Sequence, residues 1–197
     1  MISRWLRLSR QKSCLLLGSR RAGKTTLLKQ QLPDATYLTL DDYDSLELSE
    51  KDPKAFLSSG SKCLIVDEIQ RNPKLLIGVK DLIDNHNKKV FMTGSSALRL
   101  EAAGVETLAG RISLHECPTL CWGEEVGDVL GSCFDLAGKP HLEHHRLAER
   151  SSKHWLEFGG YPEIVTASDE AERRDLLRDY KNTFFLRELA SLNELEN

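Results

Sequence analysis

Apolar and polar residues follow two different periods along this chain, and the switch between them divides it. Three short, nearly continuous apolar runs, Cys14 to Leu17, Lys62 to Val66 and Lys89 to Thr93, predict strands covered on both faces, as in a parallel sheet. Two alternating stretches, Thr36 to Leu40 and Ile112 to Cys117, predict two more strands, the second with Arg111, Ser113 and His115 on one side. Between them the period lengthens. Thr26 to Gln31 supports a helix, a polar Ser-rich helix-loop region runs to Ser61, and Asn72-Pro73 sets an N-cap and first helical position before a stripe of Leu75, Leu76, Val79, Leu82 and Ile83. Cys117 to Gly131 reads as a turn and short helix leaving the sheet. After it only helical signals remain: a helix from near Pro140 or Glu149 to Phe158, a stop at Gly159-Gly160, a turn at Tyr161-Pro162, and a final helix from near Ser168 whose apolar side is Leu176, Leu177, Tyr180 and Phe184. Asp169 and Glu170 suit that helix's positive end. Ahead of everything, Ile2 to Leu8 predicts a short helix packing Trp5 and Leu6 on the sheet. The expected division is 1–130 for the α/β core and 131–197 for an α-helical appendage.

The junction between the first strand and its helix carries the chemistry. Gly18-Ser19-Arg20-Arg21-Ala22-Gly23-Lys24-Thr25 fits G-x-x-x-x-G-K-[ST], a loop whose backbone N–H groups surround phosphates at a helix N-terminus. Glycines permit the tight bend, Lys24 brings a compact charge to the β and γ oxygens, Thr25 offers a hydroxyl to Mg²⁺, and Thr26 continues into the helix. From average composition the bare pattern arises by chance in about one chain per hundred of this length, and the flanking strand and helix lower that further. The run to Val66 ends in Asp67-Glu68, about forty residues beyond that loop. There the Asp is placed to hold the Mg²⁺ hydration shell and the Glu to orient and deprotonate an attacking water. Thr93 and Ser95, at the end of the next apolar strand, are candidates to sense a γ-phosphate, with a helix cap as the alternative. Arg111 is a candidate for transition-state charge stabilisation, from its own or a neighbouring subunit, with a structural ion pair as the alternative. Asp41-Asp42 closes the second strand, where a cap before Tyr43 is the simpler role.

Composition narrows the partners. A net charge of −3 argues against a dedicated nucleic-acid-binding protein, although residues 1–30 hold eight Lys or Arg and no acid, which permits a local anionic contact. The apolar run after Arg4, Arg7, Arg10 and Lys12 is too short for a signal peptide, and no membrane-spanning stretch exists in the sequence, so a cytoplasmic protein is expected. Five cysteines without a C-x-x-C pair do not suggest a disulfide framework, and Cys14 and Cys63 read as core thiols. His115, Cys117, Cys121 and Cys133 match no zinc finger or ribbon spacing, while His141, His144 and His145, with His154 further on, have the i, i+3, i+4 placement of metal ligands but read as solvent-facing on a Glu- and Arg-rich helix that starts at Pro140.

With GSRRAGKTTLL, YLTLDD, LIVDEIQRNPKLL, FMTGSSALRL, LAGRISLHECPTLCWGEE and FGGYPEIV in this order, the chain resembles the prokaryotic AAA-type ATPase domain family, related to the AAA+ and STAND classes. The resemblance implies a P-loop NTPase fold: a parallel five-stranded sheet sandwiched by helices, with a small α-helical C-terminal lid. It implies ATP and Mg²⁺ as ligands and hydrolysis of the ATP, with ADP as product. It carries Lys24 and Thr25 to phosphate and metal, Asp67 and Glu68 to metal and base, Ser95 or Thr93 to sensing, and Arg111 to the family's Gly-Arg position. Gly160-Tyr161-Pro162 looks like the Gly-x-Pro element with which related lids contact adenine, although composition alone reads it as a helix stop. Trp122 stands where Phe is common, and the family's usual second, C-terminal domain is not represented in these residues. The leading expectation is an ATPase, with homo-oligomers and a macromolecular partner both open. The alternative is a nucleotide-controlled regulatory switch with little turnover. A small-molecule kinase lacks acceptor-pocket residues, and a GTPase is disfavoured because Asn87-Lys-Lys-Val fails N-K-x-D at the Asp.

Overall fold

The computed structural model describes residues 2–58, 61–95, 105–126 and 155–185. Five strands form one sheet: β1 (Ser13–Leu17), β2 (Thr36–Thr39), β3 (Cys63–Asp67), β4 (Lys89–Gly94) and β5 (Ile112–Glu116), in the order β2-β3-β4-β1-β5 with every pair parallel. The expected five-stranded parallel α/β fold is therefore what the chain adopts. Helices α1 (Lys24–Gln31), α2 (Tyr43–Lys51), α3 (Pro53–Leu57) and α4 (Leu75–His86) connect the strands, and α5 (Trp122–Val126) follows the sheet. After β1 the chain runs out to the β2 edge, returns through β3 and β4, and passes β1 to reach β5. β1 thus sits where the winding reverses, and the carboxyl ends around it form the crevice in which open α/β sheets bind ligands.

Alternation along the strands builds two cores, one per face. Leu15, Leu64, Val66, Val90 and Met92 pack with Leu75, Leu76 and Val79 of α4 and with Phe56 and Leu57 of α3. Cys14, Leu16, Ile65 and Phe91 point the other way and pack with Leu27 and Leu28 of α1. A sheet buried on both faces explains why its central strands read as continuous apolar runs.

The described chain separates into two compact units: Leu6–Ser19 with Gly23–Pro118, and Met1–Trp5, Arg20–Ala22 and Thr119–Asn197. The change from one unit to the other falls at Pro118/Thr119, and residues 2–5 together with Arg20–Ala22 group with the later unit. That unit holds α5, a helical stretch at 155–158, α6 (Pro162–Thr166) and α7 (Glu170–Tyr180), around a small core of Phe158, Ile164 and Tyr180 with Tyr161, Leu176 and Leu177 against it. Gly159, at φ 70°, ends the 155–158 helix as expected. Asp169 caps α7 by accepting from the Glu172 amide at 2.9 Å, while Glu172 reaches back to the Ser168 amide at 2.8 Å.

Three local expectations differ. Ile2 to Leu8 is not helical, because its amides are spent elsewhere: Trp5 N donates to Glu124 Oε1 at 2.5 Å and Leu8 N to the Gln31 side chain at 2.9 Å. Asn72 does not cap α4, which starts at Leu75. Its amide side chain donates to Ser49 Oγ at 2.9 Å while its carbonyl closes a turn with Leu75 N. Tyr161-Pro162 does more than turn the chain, since Pro162 opens α6 as its first residue. The strand ends match to within a residue, and Asp42 is the cap of α2, accepting from Ser45 N. Expectations for Cys133, His141, His144, His145, His154, the start of the 140–158 helix and the Phe184 side chain lie outside the described residues.

Candidate functional site

The loop that follows β1 is shaped by three left-handed residues, Gly18 at φ 156°, Arg21 at 59° and Gly23 at 91°. At Gly18 a Cβ would stand 2.2 Å from the Cys117 carbonyl oxygen, so only glycine lets the loop pass beneath the end of β5. Gly23 leads into α1 without a side-chain cap, and no acid occupies the first turn, which leaves the positive end of the helix dipole uncompensated by this chain's acids. Lys24 is buried, and its Nζ donates to the carbonyls of Gly18 and Ser19, each at 2.9 Å. Ser19, Arg20, Arg21 and Thr26 are exposed, and Ala22 is buried.

Asp67, at the end of β3, is 5% exposed and saturated with donors. Thr25 Oγ1 lies 2.8 and 3.0 Å from its two oxygens, Tyr37 Oη donates to Oδ2 at 2.7 Å, and Thr93 Oγ1 donates to Oδ1 at 2.5 Å. Burial, and next the Asp67 bond, push the Tyr37 phenol up to about 12. Lys29 Nζ sits 3.5 Å from the Tyr37 ring centroid. Glu68 is a non-glycine residue at φ 58°, and Thr93 accepts its amide proton at 2.9 Å. Its carboxylate receives Gln70 Nε2, and Ser95 Oγ stands 3.4 Å from the same oxygen. The Thr25 hydroxyl beside the Asp67 carboxylate is a pair of hard oxygen donors that suits Mg²⁺. Thr25, Asp67, Glu68, Thr93 and Ser95 are thus brought together as the sequence predicts. Tyr37 and Gln70 belong to the same cluster and were not foreseen.

Arg111 is not brought to this cluster. It precedes β5 at the amino end of a parallel strand, about 16 Å along the sheet from the carboxyl edge. There its Nε donates to Asp84 of α4 at 2.7 Å, which lowers the Asp84 carboxyl and raises the guanidinium. Within its own chain Arg111 is a structural ion pair.

In the other unit, Arg21 Nη1 pairs with Glu163, its guanidinium lies 5.4 Å from the Tyr180 ring centroid, and Tyr180 Oη also donates to Glu163. The Tyr180 bond first, and Arg21 after it, hold the Glu163 carboxyl below its ordinary range. Tyr161 meets Tyr180 edge to face at 5.1 Å beside Pro162. Arg4, part of the basic N-terminal segment, is buried: Nε pairs with Glu124 at 3.1 Å and Nη1 donates to the Ala22 carbonyl at 2.9 Å. Among the described residues no three His, Cys, Asp or Glu side chains gather around a point that holds an ion, and no helix is long and apolar enough to cross a membrane.

Curated relatives match almost the whole chain. The uncharacterized protein Rv2008c of Mycobacterium tuberculosis is 32% identical over 190 residues, 94% of this chain and 38% of its own length. The uncharacterized protein MJ1544 of Methanocaldococcus jannaschii is 26% identical over 202 residues, 98% of this chain and 45% of its own. The chain therefore spans less than half the length of these relatives. Among solved structures, the Walker-type ATPase paby2304 of Pyrococcus abyssi superposes with a TM-score of 0.54 at 15% identity, covering 92% of this chain and 70% of that one, which is a likeness of fold. The AAA domain family model matches residues 10–126, from just before β1 to the end of α5 and more than half of the sequence. The chain belongs to the AAA domain family.

Proposed function

We propose that this AAA domain binds ATP together with Mg²⁺ and hydrolyses it to ADP and phosphate, with Glu68 as general base. The observation that carries the reading is the meeting of Thr25 and Asp67 within 3.0 Å, beside Glu68 and below a glycine-bounded loop that already uses Lys24. Lys24 has two carbonyl partners to exchange for phosphate oxygens, and the amides of the loop supply neutral donors around them. Bound Mg²⁺ would be held by Thr25 and, through its water shell, by Asp67, and would neutralise phosphate charge. Ser95 places a hydroxyl at the strand end that faces the γ-phosphate in this reading, while the buried Thr93 hydroxyl is spent on Asp67 and the Glu68 amide. Glu68 takes a proton from water as the water oxygen bonds to the γ-phosphorus and the bond to the bridging oxygen breaks, leaving ADP.

Arg111 enters this reading only as a residue offered to a neighbouring subunit, because Asp84 holds it far from its own chain's site. Contact of adenine with Tyr161 and Pro162 rests on the sequence resemblance. The test is the steady-state ATP hydrolysis rate per subunit as protein concentration rises, with Glu68→Gln and Arg111→Ala beside the native chain. Glu68→Gln is expected to lower the rate by about 100-fold or more while ATP still binds. A rate that climbs with concentration and falls in Arg111→Ala supports action between subunits. Tight ATP binding with no turnover above the Glu68→Gln background refutes hydrolysis and leaves a nucleotide-controlled switch.

A further inference from the structure

Gln70 lies in the single helical turn that follows Glu68 and is 8% exposed. Its Nε2 donates to Glu68 Oε2 and, at 2.9 Å, to Ser95 Oγ. Its Oε1 is buried and has no hydrogen-bond partner among the described residues. The orientation of this carboxamide is not arbitrary. An ionised Glu68 can only accept, so turning the amide over would set a carbonyl oxygen against a carboxylate oxygen and lose the donor that joins them. Oε1 is thereby committed to face away from both partners, as a buried acceptor beside the proposed base. Buried acceptors in folded proteins are almost always satisfied, so an orphan at a site points to a ligand with an O–H or N–H to give.

We propose that Gln70 is the second water-orienting residue of the hydrolytic site, an inference that rests on Glu68 acting as base. Water has two O–H bonds. One points to the Glu68 carboxylate, which takes that proton, and the other points to Gln70 Oε1 and stays on the oxygen transferred to phosphorus. With both O–H bonds directed, the oxygen's lone pairs are turned toward phosphorus, and the entropic cost of aligning the nucleophile is met by the folded protein. The amide end of the same side chain holds Glu68 in place, and Ser95 anchors that amide. Gln70 therefore fixes base and nucleophile relative to each other without exchanging a proton itself.

Gln70→Leu removes both ends of the group, and Gln70→Met, an unbranched chain of similar length, serves if leucine is not tolerated. Either is expected to lower kcat about 10- to 100-fold, with KM and ATP affinity within about threefold of native. Because Gln70 works through the water that Glu68 deprotonates, the Glu68→Gln/Gln70→Leu double variant is expected to be no slower than Glu68→Gln alone. A Gln70 variant with native kcat, beside a Glu68→Gln variant that is inactive, overturns this inference and leaves the base assignment standing. Full multiplication of the two losses in the double variant, or a loss of ATP binding equal to the loss of rate, overturns it as well. A native chain that does not hydrolyse ATP, or a Glu68→Gln variant as fast as native, overturns the base assignment and this inference with it.

Discussion

Thr93→Val separates the hydrogen-bonded frame of the site from its packing. Valine keeps the branched shape and loses the hydroxyl, which is fully buried and does two things: it donates to Asp67 at 2.5 Å and accepts from the Glu68 amide at 2.9 Å. A bond to an ionised carboxylate contributes about 1.5–3 kcal/mol, and an orphaned amide costs about 1–3 kcal/mol. Asp67 keeps Thr25 and Tyr37, so its charge is not left bare, and the methyl that replaces the hydroxyl recovers about 0.8 kcal/mol. The net loss is about 2–5 kcal/mol, a large part of the roughly 5–15 kcal/mol that holds an ordinary domain together. The loss also falls where it matters. Glu68 sits in left-handed backbone that disfavours a bulky residue by about 1–2 kcal/mol, and the Thr93 bond is what holds its amide there. Urea unfolding is the assay, followed by far-ultraviolet circular dichroism because Trp5, Trp122 and Trp155, the only tryptophans, all fall in the other unit. With a slope of about 2 kcal/mol per molar urea, the midpoint is expected to fall by about 1–2.5 M. A midpoint within about 0.2 M of native at unchanged slope refutes the reasoning, since the two bonds would then carry no net energy.

Two titrations test the burial of individual groups. Burial pushes the Cys14 thiol up to about 12, so at pH 8 about one molecule in ten thousand presents a thiolate there, whereas Cys121 is exposed. Iodoacetamide with peptide mapping is expected to label Cys121 in the native protein and Cys14 only in denaturant; equal native labelling contradicts the core assignment. Tyr37 and Tyr180 are each raised to about 12 by burial first and a carboxylate bond second. A raised acid holds its proton more tightly when folded, so the stabilisation they contribute is complete below about pH 10 and is lost as pH rises through 12. In an ultraviolet difference titration at least two of the four tyrosines are expected to ionise late, and Tyr37→Phe to remove one of them; four tyrosines ionising together near the ordinary value would be the contrary result.

What was legible in the sequence is what local pattern encodes. The central strands announce themselves because both faces are buried, and the phosphate loop because its glycines, Lys24 and Thr25 occupy fixed offsets between a strand and a helix. Arg111 shows where local pattern stops. Its neighbours suit a catalytic arginine, yet it precedes its strand, and in an all-parallel sheet a residue before β5 and residues after β1 and β3 must lie at opposite ends. Tyr37 was hidden for a different reason. In an alternating strand it reads as a good β-former, and its reach to Asp67 depends on the pairing of β2 with β3, with Thr39 opposite Asp67. Gln70 depends on the left-handed turn at Glu68, a conformation that a glutamate does not advertise.

Two buried carboxylates explain why the polar framework escapes a reading of pattern. Glu124 accepts from Arg4 Nε at 3.1 Å, Trp5 N at 2.5 Å and Cys121 N at 3.0 Å, and Arg4 in turn reaches the carbonyls of Ala22 and Thr119. Asp67 does the same in its own unit with Thr25, Tyr37 and Thr93. A carboxylate taken out of water must be given several donors, and one short segment does not provide enough of them, so the donors come from stretches far apart in the chain. Each donor is then an ordinary residue in its own context: an arginine in a basic segment, a tyrosine in a strand, a threonine at a strand end. Such pairs add little net stability over apolar packing, but losing one partner leaves a charge buried without compensation. Their consequence is therefore specificity of conformation: Arg4 fixes the carbonyl of Ala22 within the phosphate loop, and Thr93 fixes the backbone of Glu68. The residues proposed to do the chemistry can be found from spacing, whereas those that hold them still are found only once the fold has brought distant donors to one buried charge.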